Sequence, residues 1–202
     1  NPHFIFNAMS VIQGYIYENN PSKSSKFLVS FSKLIRLILE NSPKEFITIE
    51  TEIDILDKYL KTQKLRFENR FDFKITVPDE LVFKKVLIPP MITQPFVENS
   101  IEHGQLNIVE NGHIHIEFKE KNEMLYVKIE DNGVGRKESE KNKLKKDHKS
   151  MALNITKERV NIINKKYRSK ATVEIGDLQE GKFSGTLVEL NLPLLTEKIN
   201  LD

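Results

Sequence analysis

The stretch MLYVKIEDNGVG, residues 124–135, reads as an alternating strand that ends in an aspartate and two glycines. Apolar and polar residues alternate up to Glu130, which predicts a β-strand. Asp131 stands where this strand ends, and an ionised aspartate only accepts hydrogen bonds, so it suits the exocyclic amine of adenine. Gly133 and Gly135 allow positive φ and a close approach of the backbone to a flat ring or a phosphate. Alone, a D-x-G motif is more often an ordinary turn.

Further strands are predicted by the same alternation on both sides of this stretch. They are FDFKITV at 71–77, GHIHIEFKE at 112–120, ATVEIGD at 171–177 and GTLVELNLP at 185–193. Several of these strands follow one another without an intervening helix. We therefore expect an α/β (α+β) two-layer sandwich, with a mixed, mainly antiparallel sheet and the helices on one face.

Two short amphipathic helices precede this sheet and predict an antiparallel hairpin. Asn20 and Pro21 provide the cap and first turn of the second helix, which should end before Pro43. Its apolar stripe runs through Phe27, Phe31, Leu34, Ile35 and Ile38, and that of the first helix through Phe4, Ala8, Val11, Ile12 and Tyr15. A third helix is predicted after Thr48, and another from about residue 150 to 167.

Composition excludes several classes of protein. The 202 residues are 39% hydrophobic and 30% charged, with a net charge of +2 and no cysteine. This balance argues against nucleic acid as the main partner, and the absence of cysteine excludes disulfides and thiolate metal sites. The sequence has no stretch that could span a bilayer. The absence of cysteine also favours a reducing, cytosolic setting. Because the sequence begins at Asn1 without methionine or signal peptide, we expect it to be part of a longer protein.

The segment ENSIEH places Asn99 and His103 four residues apart on one helix face. Phe96, Val97, Ser100 and Ile101 form the face expected to pack. An asparagine oxygen is a hard ligand suited to Mg²⁺, and a histidine one turn away can donate to a phosphate oxygen. Taken alone, an ordinary solvent-facing pair is the better explanation of these two residues.

A lysine-rich stretch follows the glycines and predicts a lid. Seven basic and three acidic residues lie between Arg136 and Lys149, a local balance of 7 − 3 = +4. The helix near Ser150 then offers free backbone N–H groups to a polyanion. Gly185 and Thr186 open the last predicted strand nearby. A solvated loop and a plain strand-entry turn are the simpler readings of these features.

Five ordered motifs together resemble the LytS/YehU-type sensor histidine kinases of the GHKL superfamily. They are NPHFIFN, LRFENRF, PPMITQPFVENSIEHG, DNGVG and GTLVELNLP, and they cover nearly the whole chain. The resemblance implies a dimerisation and phosphoacceptor hairpin at residues 1–45. It also implies a Bergerat-type ATP-binding sandwich at residues 46–202.

The resemblance also implies a role for each matching residue. His3 would be the phosphoacceptor, Asn99 the Mg²⁺ ligand and His103 a phosphate-side residue. Asp131 would anchor adenine, supported by the loop of Gly133 and Gly135 and by Thr186 near the base. At the start of the lid helix, Ser150, Ala152 and Leu153 would face the nucleotide. Asn7 lies one turn after His3 on the same helix face, which suggests that it orients the imidazole or a water.

Two departures from the family pattern leave other functions open. Many relatives have lysine where this chain has Glu102, and glycine where it has Ala152. A catalytically weak or degenerate nucleotide-binding scaffold is therefore one alternative. A GHKL-type ATPase is another, although such enzymes use a glutamate one turn before the asparagine, where this chain has Pro95. Glu98 is adjacent but is expected to point off the Asn99 face.

The resemblance further implies ATP and Mg²⁺ as cofactors, a response regulator as partner and a homodimer in the full-length protein. It places the chain in the cytoplasmic portion of an inner- or plasma-membrane protein, with a sensor region upstream. His113 and His115 have an i, i+2 spacing that can bind Zn²⁺ or Ni²⁺, but no third ligand is evident in the sequence and an exposed strand face explains them better.

Overall fold

The computed structural model describes residues 2–106, 109–136, 148–179 and 184–197, with the backbone alone at 2–5, 148–153 and 155. The helices are α1 (Pro2–Tyr17), α2 (Pro21–Asn41), α3 (Ile49–Arg66), α4 (Asp79–Phe83), α5 (Gln94–Glu102) and α6 (His148–Tyr167). Within these residues, none of the helices has the length and apolarity needed to cross a membrane.

The larger sheet has five strands in the order β2-β4-β5-β7-β6. These strands are β2 (Phe71–Thr76), β4 (Gly112–Lys121), β5 (Met124–Asp131), β6 (Thr172–Asp177) and β7 (Thr186–Pro193). β2 and β4 run parallel, whereas the other neighbours are antiparallel. The predicted mixed, mainly antiparallel sheet is therefore confirmed, and β5 lies at its centre.

The core lies between this sheet and the helices. Ile116, Val127 and Leu190 from neighbouring strands are almost fully buried, and they belong to one apolar cluster with Leu60 of α3 and Phe96 of α5. α6 adds Val160 and Ile163 to the same cluster. Burying apolar side chains from both layers is the main force that holds a two-layer sandwich together. The predicted α/β class is confirmed.

A second, three-stranded sheet was not predicted. Its strands are β1 (Ile47–Thr48), β3 (Val86–Ile88) and β8 (Leu195–Thr196), in the order β1-β3-β8. Ile47 pairs with Ile88, and Val86 pairs with Thr196, both antiparallel. Strands of two or three residues are too short to show an alternating pattern, so only the folded chain reveals them.

The predicted helical hairpin forms from α1 and α2. The side chain of Asn20 accepts a hydrogen bond from the backbone N of Lys23 at 3.1 Å, and Pro21 occupies the first turn of α2. Ala8, Tyr15 and Phe27 form a small apolar cluster between the two helices. Leu34 of α2 belongs instead to the main core, so α2 packs against α3. The domain boundary between residues 45 and 46 stays a prediction.

Candidate functional site

Asp131 is the last residue of β5, and it lies on the face of the strand that is otherwise apolar and buried. Along β5 the buried residues alternate, and Asp131 follows Leu125, Val127 and Ile129 on the same face, with only 1% of its surface exposed. It pairs in register with Ile114 on β4 and Thr186 on β7. A carboxyl group placed on a core-facing position needs hydrogen-bond partners, because burial without them is costly.

Hydrogen-bond donors from α5, from the turn after β5 and from β7 surround the Asp131 carboxylate. Ser100 Oγ, from α5, donates to Oδ2 at 2.6 Å. The backbone N–H groups of Gly133 and Thr186 donate to Oδ1 at 2.9 and 3.2 Å. Burial raises the pKa of Asp131 above its usual value, and these hydrogen bonds partly oppose that shift. The hydroxyl of Thr186 is a further hydrogen-bond partner of this carboxylate, and because a hydroxyl can rotate, its acceptor direction can be given to a ligand donor such as an amine.

The two predicted glycines serve different purposes beside Asp131. Gly135 has a φ of +79°, as predicted, and a Cβ there would lie 2.0 Å from Ser184 Oγ. Gly133 instead permits close packing, because a Cβ would lie 2.4 Å from the backbone oxygen of Gly104. That same oxygen accepts the backbone N–H of Val134 at 3.0 Å. The turn after β5 is therefore pressed against the end of α5 by backbone contacts that leave no room for a side chain.

α5 carries the predicted polar pair and is fixed to Asp131. Its packing face is confirmed, since Phe96, Val97, Ser100 and Ile101 are all buried. Asn99 is half-buried, and its backbone oxygen accepts the N–H groups of His103 and Gly104 at 2.8 and 3.0 Å. Because Ser100 bonds Asp131, the fold brings the segments ENSIEH and DNGVG together. The assignment of Asn99 to Mg²⁺ and of His103 to phosphate stays a prediction.

The other predicted site residues lie at the helical hairpin and at α6. His3 falls within α1, and Ser150, Ala152 and Leu153 fall within α6, with their side chains outside the described part of the chain. The predicted lid at 137–147 also lies outside it. Asn7 is half-buried and lines a small crevice between α1, α2 and α3, together with Ala8, Phe27, Thr62, Gln63 and Arg66.

Glu52 is a buried carboxylate that the sequence analysis missed. It lies on α3 with 0% of its surface exposed, and it accepts Thr93 Oγ1 at 2.6 Å and the backbone N of Met91 at 2.9 Å. Burial raises its pKa, opposed by these hydrogen bonds and by the charge of Arg159. Arg159 in turn donates to the backbone oxygen of Pro90 at 3.1 Å. Glu52 thus holds the loop that leads into α5.

A sequence signal for Glu52 exists. It lies three residues after Ile49 and four before Leu56, both buried, and so shares the core-facing side of α3. A carboxylate on an apolar helix face predicts a specific buried partner. Asp131 shows the same signal on a strand.

Glu102, the predicted departure from the family pattern, forms an ion pair. Arg66 Nη1 lies 2.5 Å from Glu102 Oε1, with 17% and 23% of the two side chains exposed. The negative charge at residue 102 is therefore balanced by α3. On β4, His115 Nε2 lies 2.9 Å from Thr76 Oγ1 of the neighbouring strand. Among the described residues, no group of three or more acidic or histidine side chains is placed to hold a metal.

Solved structures of similar fold are histidine kinase domains. The histidine kinase domain of a blue-light activated histidine kinase from Erythrobacter litoralis aligns with a TM-score of 0.53 at 13% identity, covering 96% of each chain. The catalytic domain of histidine kinase ThkA aligns with a TM-score of 0.50 at 16% identity, covering 75% of this chain and 97% of that one. At such low identity the likeness concerns the fold, which is that of histidine kinase catalytic domains.

Sequence comparison leads to a more particular group. Residues 1–71 match the family model described as histidine kinase. The sensor histidine kinase BtsS of Escherichia coli is 34% identical over 132 residues, which are 65% of this chain and 23% of BtsS. The sensor protein LytS of Staphylococcus epidermidis is 33% identical over 135 residues, which are 67% of this chain and 22% of that protein.

A third relative is similar along almost the entire chain. LytS of Enterococcus faecalis is 28% identical over 207 aligned positions, covering 99% of this chain and 33% of that protein. The chain therefore spans about a fifth to a third of the length of these relatives. The resemblance to LytS-type sensor histidine kinases is confirmed by this family match and by these named relatives.

Proposed function

We propose that this chain is the kinase portion of a sensor histidine kinase, in which ATP phosphorylates His3 and the phosphoryl group then passes to an aspartate of a response regulator. The observation that carries this proposal is the environment of Asp131. A buried carboxylate is fixed by Ser100 and by two backbone N–H groups, and its other partner is the rotatable hydroxyl of Thr186, beside a turn where the backbone leaves no room for side chains. Such a site accepts the amine of adenine and rejects the carbonyl that guanine has at the same position.

The first step is an in-line displacement at the γ-phosphorus of ATP. A lone pair on a nitrogen of neutral His3 forms the N–P bond as the bond from phosphorus to the ADP oxygen breaks. The phosphorylated imidazolium then loses its other ring proton to solvent, giving phosphohistidine. Near pH 7 most histidine is neutral, so the nucleophile needs no special activation. Asn7, one turn along α1, is proposed to orient the ring.

Nucleotide and metal are proposed to bind between α5 and the turn after β5. Asp131 takes adenine, with Gly133, Gly135 and Thr186 around it, while Asn99 and His103 serve the phosphate end. When bound, Mg²⁺ would be held through the side-chain oxygen of Asn99 and would neutralise charge on the phosphates. The N-terminal part of α6, with Ser150, Ala152 and Leu153, is proposed to close the phosphate side.

The hairpin is proposed to meet a second copy of the chain and the response regulator. Large apolar side chains stand exposed on both helices, which favours a covering partner. On α1 these are Phe6, Met9, Ile16 and Tyr17, and on α2 they are Leu28, Val29 and Leu39. We further propose that the chain is the cytoplasmic part of a membrane protein whose sensor region lies upstream.

The ATPase alternative is disfavoured by the start of α5. The residue one turn before Asn99 is Pro95, which occupies the first turn of that helix and has no group that can activate water. The scaffold alternative keeps both of its supports, because pairing with Arg66 balances the charge of Glu102 but supplies no positive charge in place of the lysine of many relatives.

The direct experiment incubates the full cytoplasmic region with γ-labelled ATP and Mg²⁺. We expect acid-labile label on the wild type and none on His3→Gln, with both proteins binding nucleotide equally. Label that persists on His3→Gln would overturn the assignment of His3. Nucleotide binding without any label on the wild type would favour the scaffold, and steady release of inorganic phosphate would favour the ATPase.

A further inference from the structure

A row of polar side chains on α3 faces α5. Arg66 Nη1 donates to Glu102 Oε1 at 2.5 Å and to Gln63 Oε1 at 3.3 Å. One turn earlier, the side chain of Gln63 bonds the hydroxyl of Tyr59. Gln63 and Tyr59 are 2% and 1% exposed. Burial, together with the negative charge of Glu98 on α5, raises the pKa of Tyr59 well above its usual value. These side chains form a continuous network from α3 to α5.

The same stretch of α3 is bonded to the hairpin on another side. Thr62 Oγ1 lies 2.9 Å from Ser30 Oγ of α2, and the hydroxyl of Tyr15 on α1 donates to the backbone oxygen of Leu65 at 3.0 Å. Asn7 and Arg66 line one crevice at this junction. α3 is therefore the element that both the hairpin and α5 contact through hydrogen bonds.

The ion pair at the end of this network is partly shielded from water. With 17% and 23% of their side chains exposed, Arg66 and Glu102 attract each other more strongly than an open surface pair would. The guanidinium also lies 4.5 Å from the centre of the Phe67 ring, which restrains its orientation. Geometry of this kind fixes two helices relative to each other rather than only adding stability.

We propose that Arg66 is a positioning residue for phosphoryl transfer. By pairing with Glu102 it holds α5, which carries Asn99 and His103, at a fixed orientation to α3 and hence to the hairpin that carries His3. The proposed role is exerted through Glu102 and needs no contact between Arg66 and the nucleotide or the phosphoacceptor. This inference rests on the proposed kinase function, since it concerns the geometry between the nucleotide site and His3.

The experiment compares Glu102→Gln and Arg66→Lys with the wild type in the full cytoplasmic region. Glu102→Gln keeps the size of the side chain and removes its charge, whereas Arg66→Lys keeps the charge and removes the planar guanidinium. Two quantities are measured, the Kd of a fluorescent ATP analogue and the rate of His3 phosphorylation at saturating ATP. We expect the rate to fall about 10-fold while the Kd changes less than about 2-fold, because displacement between reacting groups lowers rate rather than affinity.

The exchanged pair Arg66→Glu with Glu102→Arg supplies a rescue. Each single reversal places like charges opposite each other, so we expect it to lower the rate of His3 phosphorylation. The double exchange restores attraction between α3 and α5, so we expect it to recover at least half of the rate that the single reversals lose. Glu120→Gln is the matched control, since it breaks an ion pair between Glu120 on β4 and Lys84, the residue that follows α4. That control should leave both rate and Kd unchanged.

The outcomes separate this inference from the proposed function. Unchanged rates in Glu102→Gln and Arg66→Lys would overturn the positioning role while the kinase proposal stands. A Kd that rises in step with the fall in rate would also overturn it, since Arg66 would then support the nucleotide site itself. A wild type that binds nucleotide and takes no label on His3 would overturn the kinase function and this inference with it.

Discussion

Two buried carboxylates, Asp131 on β5 and Glu52 on α3, show how similar chemistry serves different ends. Both are at most 1% exposed, both accept a hydroxyl and at least one backbone N–H, and burial raises the pKa of each. Their surroundings differ. The donors around Glu52 come from the loop before α5, and Arg159 lies near, whereas Asp131 adjoins a turn of tightly packed glycine backbone.

This comparison indicates that burial and a raised pKa do not by themselves identify a binding site. Glu52 uses its acceptors to fix a loop, and Met91 in that loop has a φ of +55°, a conformation that needs such support. Asp131 instead has a rotatable hydroxyl, that of Thr186, among its partners, and it lies beside backbone that a flat ligand can approach. Substitutions at the two carboxylates should therefore separate binding from stability.

The largest expected effect is on nucleotide affinity in Asp131→Asn. The amide oxygen can keep the hydrogen bonds from Gly133 and Thr186, and the amide nitrogen can donate to Ser100 Oγ, so the fold should persist. The amide N–H introduced at residue 131 would then face the exocyclic amine of adenine, and both groups are hydrogen-bond donors. The affinity for ATP should therefore fall about 100-fold, on the order of 3 kcal/mol. Titration with a fluorescent ATP analogue measures this.

Asp131→Ala is the companion variant for that titration, since it removes the acceptor and the hydrogen bonds together. It should lose affinity and stability, while Asp131→Asn loses affinity alone. An Asp131→Asn protein that binds ATP as tightly as the wild type would contradict the assignment of adenine to this carboxylate.

Glu52→Ala should lower stability and leave nucleotide affinity unchanged, the opposite of what is expected for Asp131→Asn. Removing the side chain leaves the buried groups of Met91 and Thr93 without their acceptor, which should lower the free energy of unfolding by about 2 kcal/mol. Glu52→Gln can accept from Met91 and donate to Thr93, so it should retain most of the stability. Urea denaturation measures both. Equal destabilisation by the two variants would show that the charge, rather than the hydrogen bonds, holds the loop.

Ser100→Ala tests the link between α5 and Asp131 with a smaller expected effect. The variant removes one hydroxyl donor to a buried carboxylate, which should cost about 1 kcal/mol of stability and weaken nucleotide binding a few-fold. Ser30→Ala removes a hydroxyl from a hydrogen bond between α2 and α3 and should leave nucleotide affinity unchanged. Equal affinities for Ser100→Ala and the wild type would mean that Asp131 is positioned by its backbone donors alone.

The sequence predicts the elements whose pattern is long and local. Alternation over eight residues identifies β5, and the cap at Asn20 identifies α2. β1, β3 and β8 have no such pattern, because two- and three-residue strands form only where the folded chain supplies a partner. ENSIEH and DNGVG both carry residue types suited to a nucleotide site, and the folded chain joins them through the hydrogen bond from Ser100 to Asp131.

Contacts between distant side chains were harder to predict. Arg66 and Glu102 are 36 residues apart, and nothing in either local sequence indicates that they pair. Glu52 did carry a signal, since a carboxylate on an apolar helix face requires a partner, yet the identity of that partner depends on how the loop before α5 folds back. The periodicity of the sequence therefore predicts the helices and strands, whereas tertiary packing determines which polar side chains pair with each other.

The smallest expected effect is a difference in the pH dependence of stability. An unfolded aspartate has a pKa of about 3.9, and burial raises the pKa of Asp131 in the folded protein. Between the two values the native protein binds more protons than the unfolded chain, so the free energy of unfolding contributed by this group falls as pH rises. Asp131→Asn has no such group, and its stability relative to the wild type should therefore increase from about pH 4 towards neutral pH. Urea denaturation across that range measures the difference, with Ser100→Ala as a control that keeps the carboxyl group. A wild type that instead gains stability relative to Asp131→Asn as pH rises would mean that the hydrogen bonds to Asp131 outweigh burial and that its folded-state pKa is lowered.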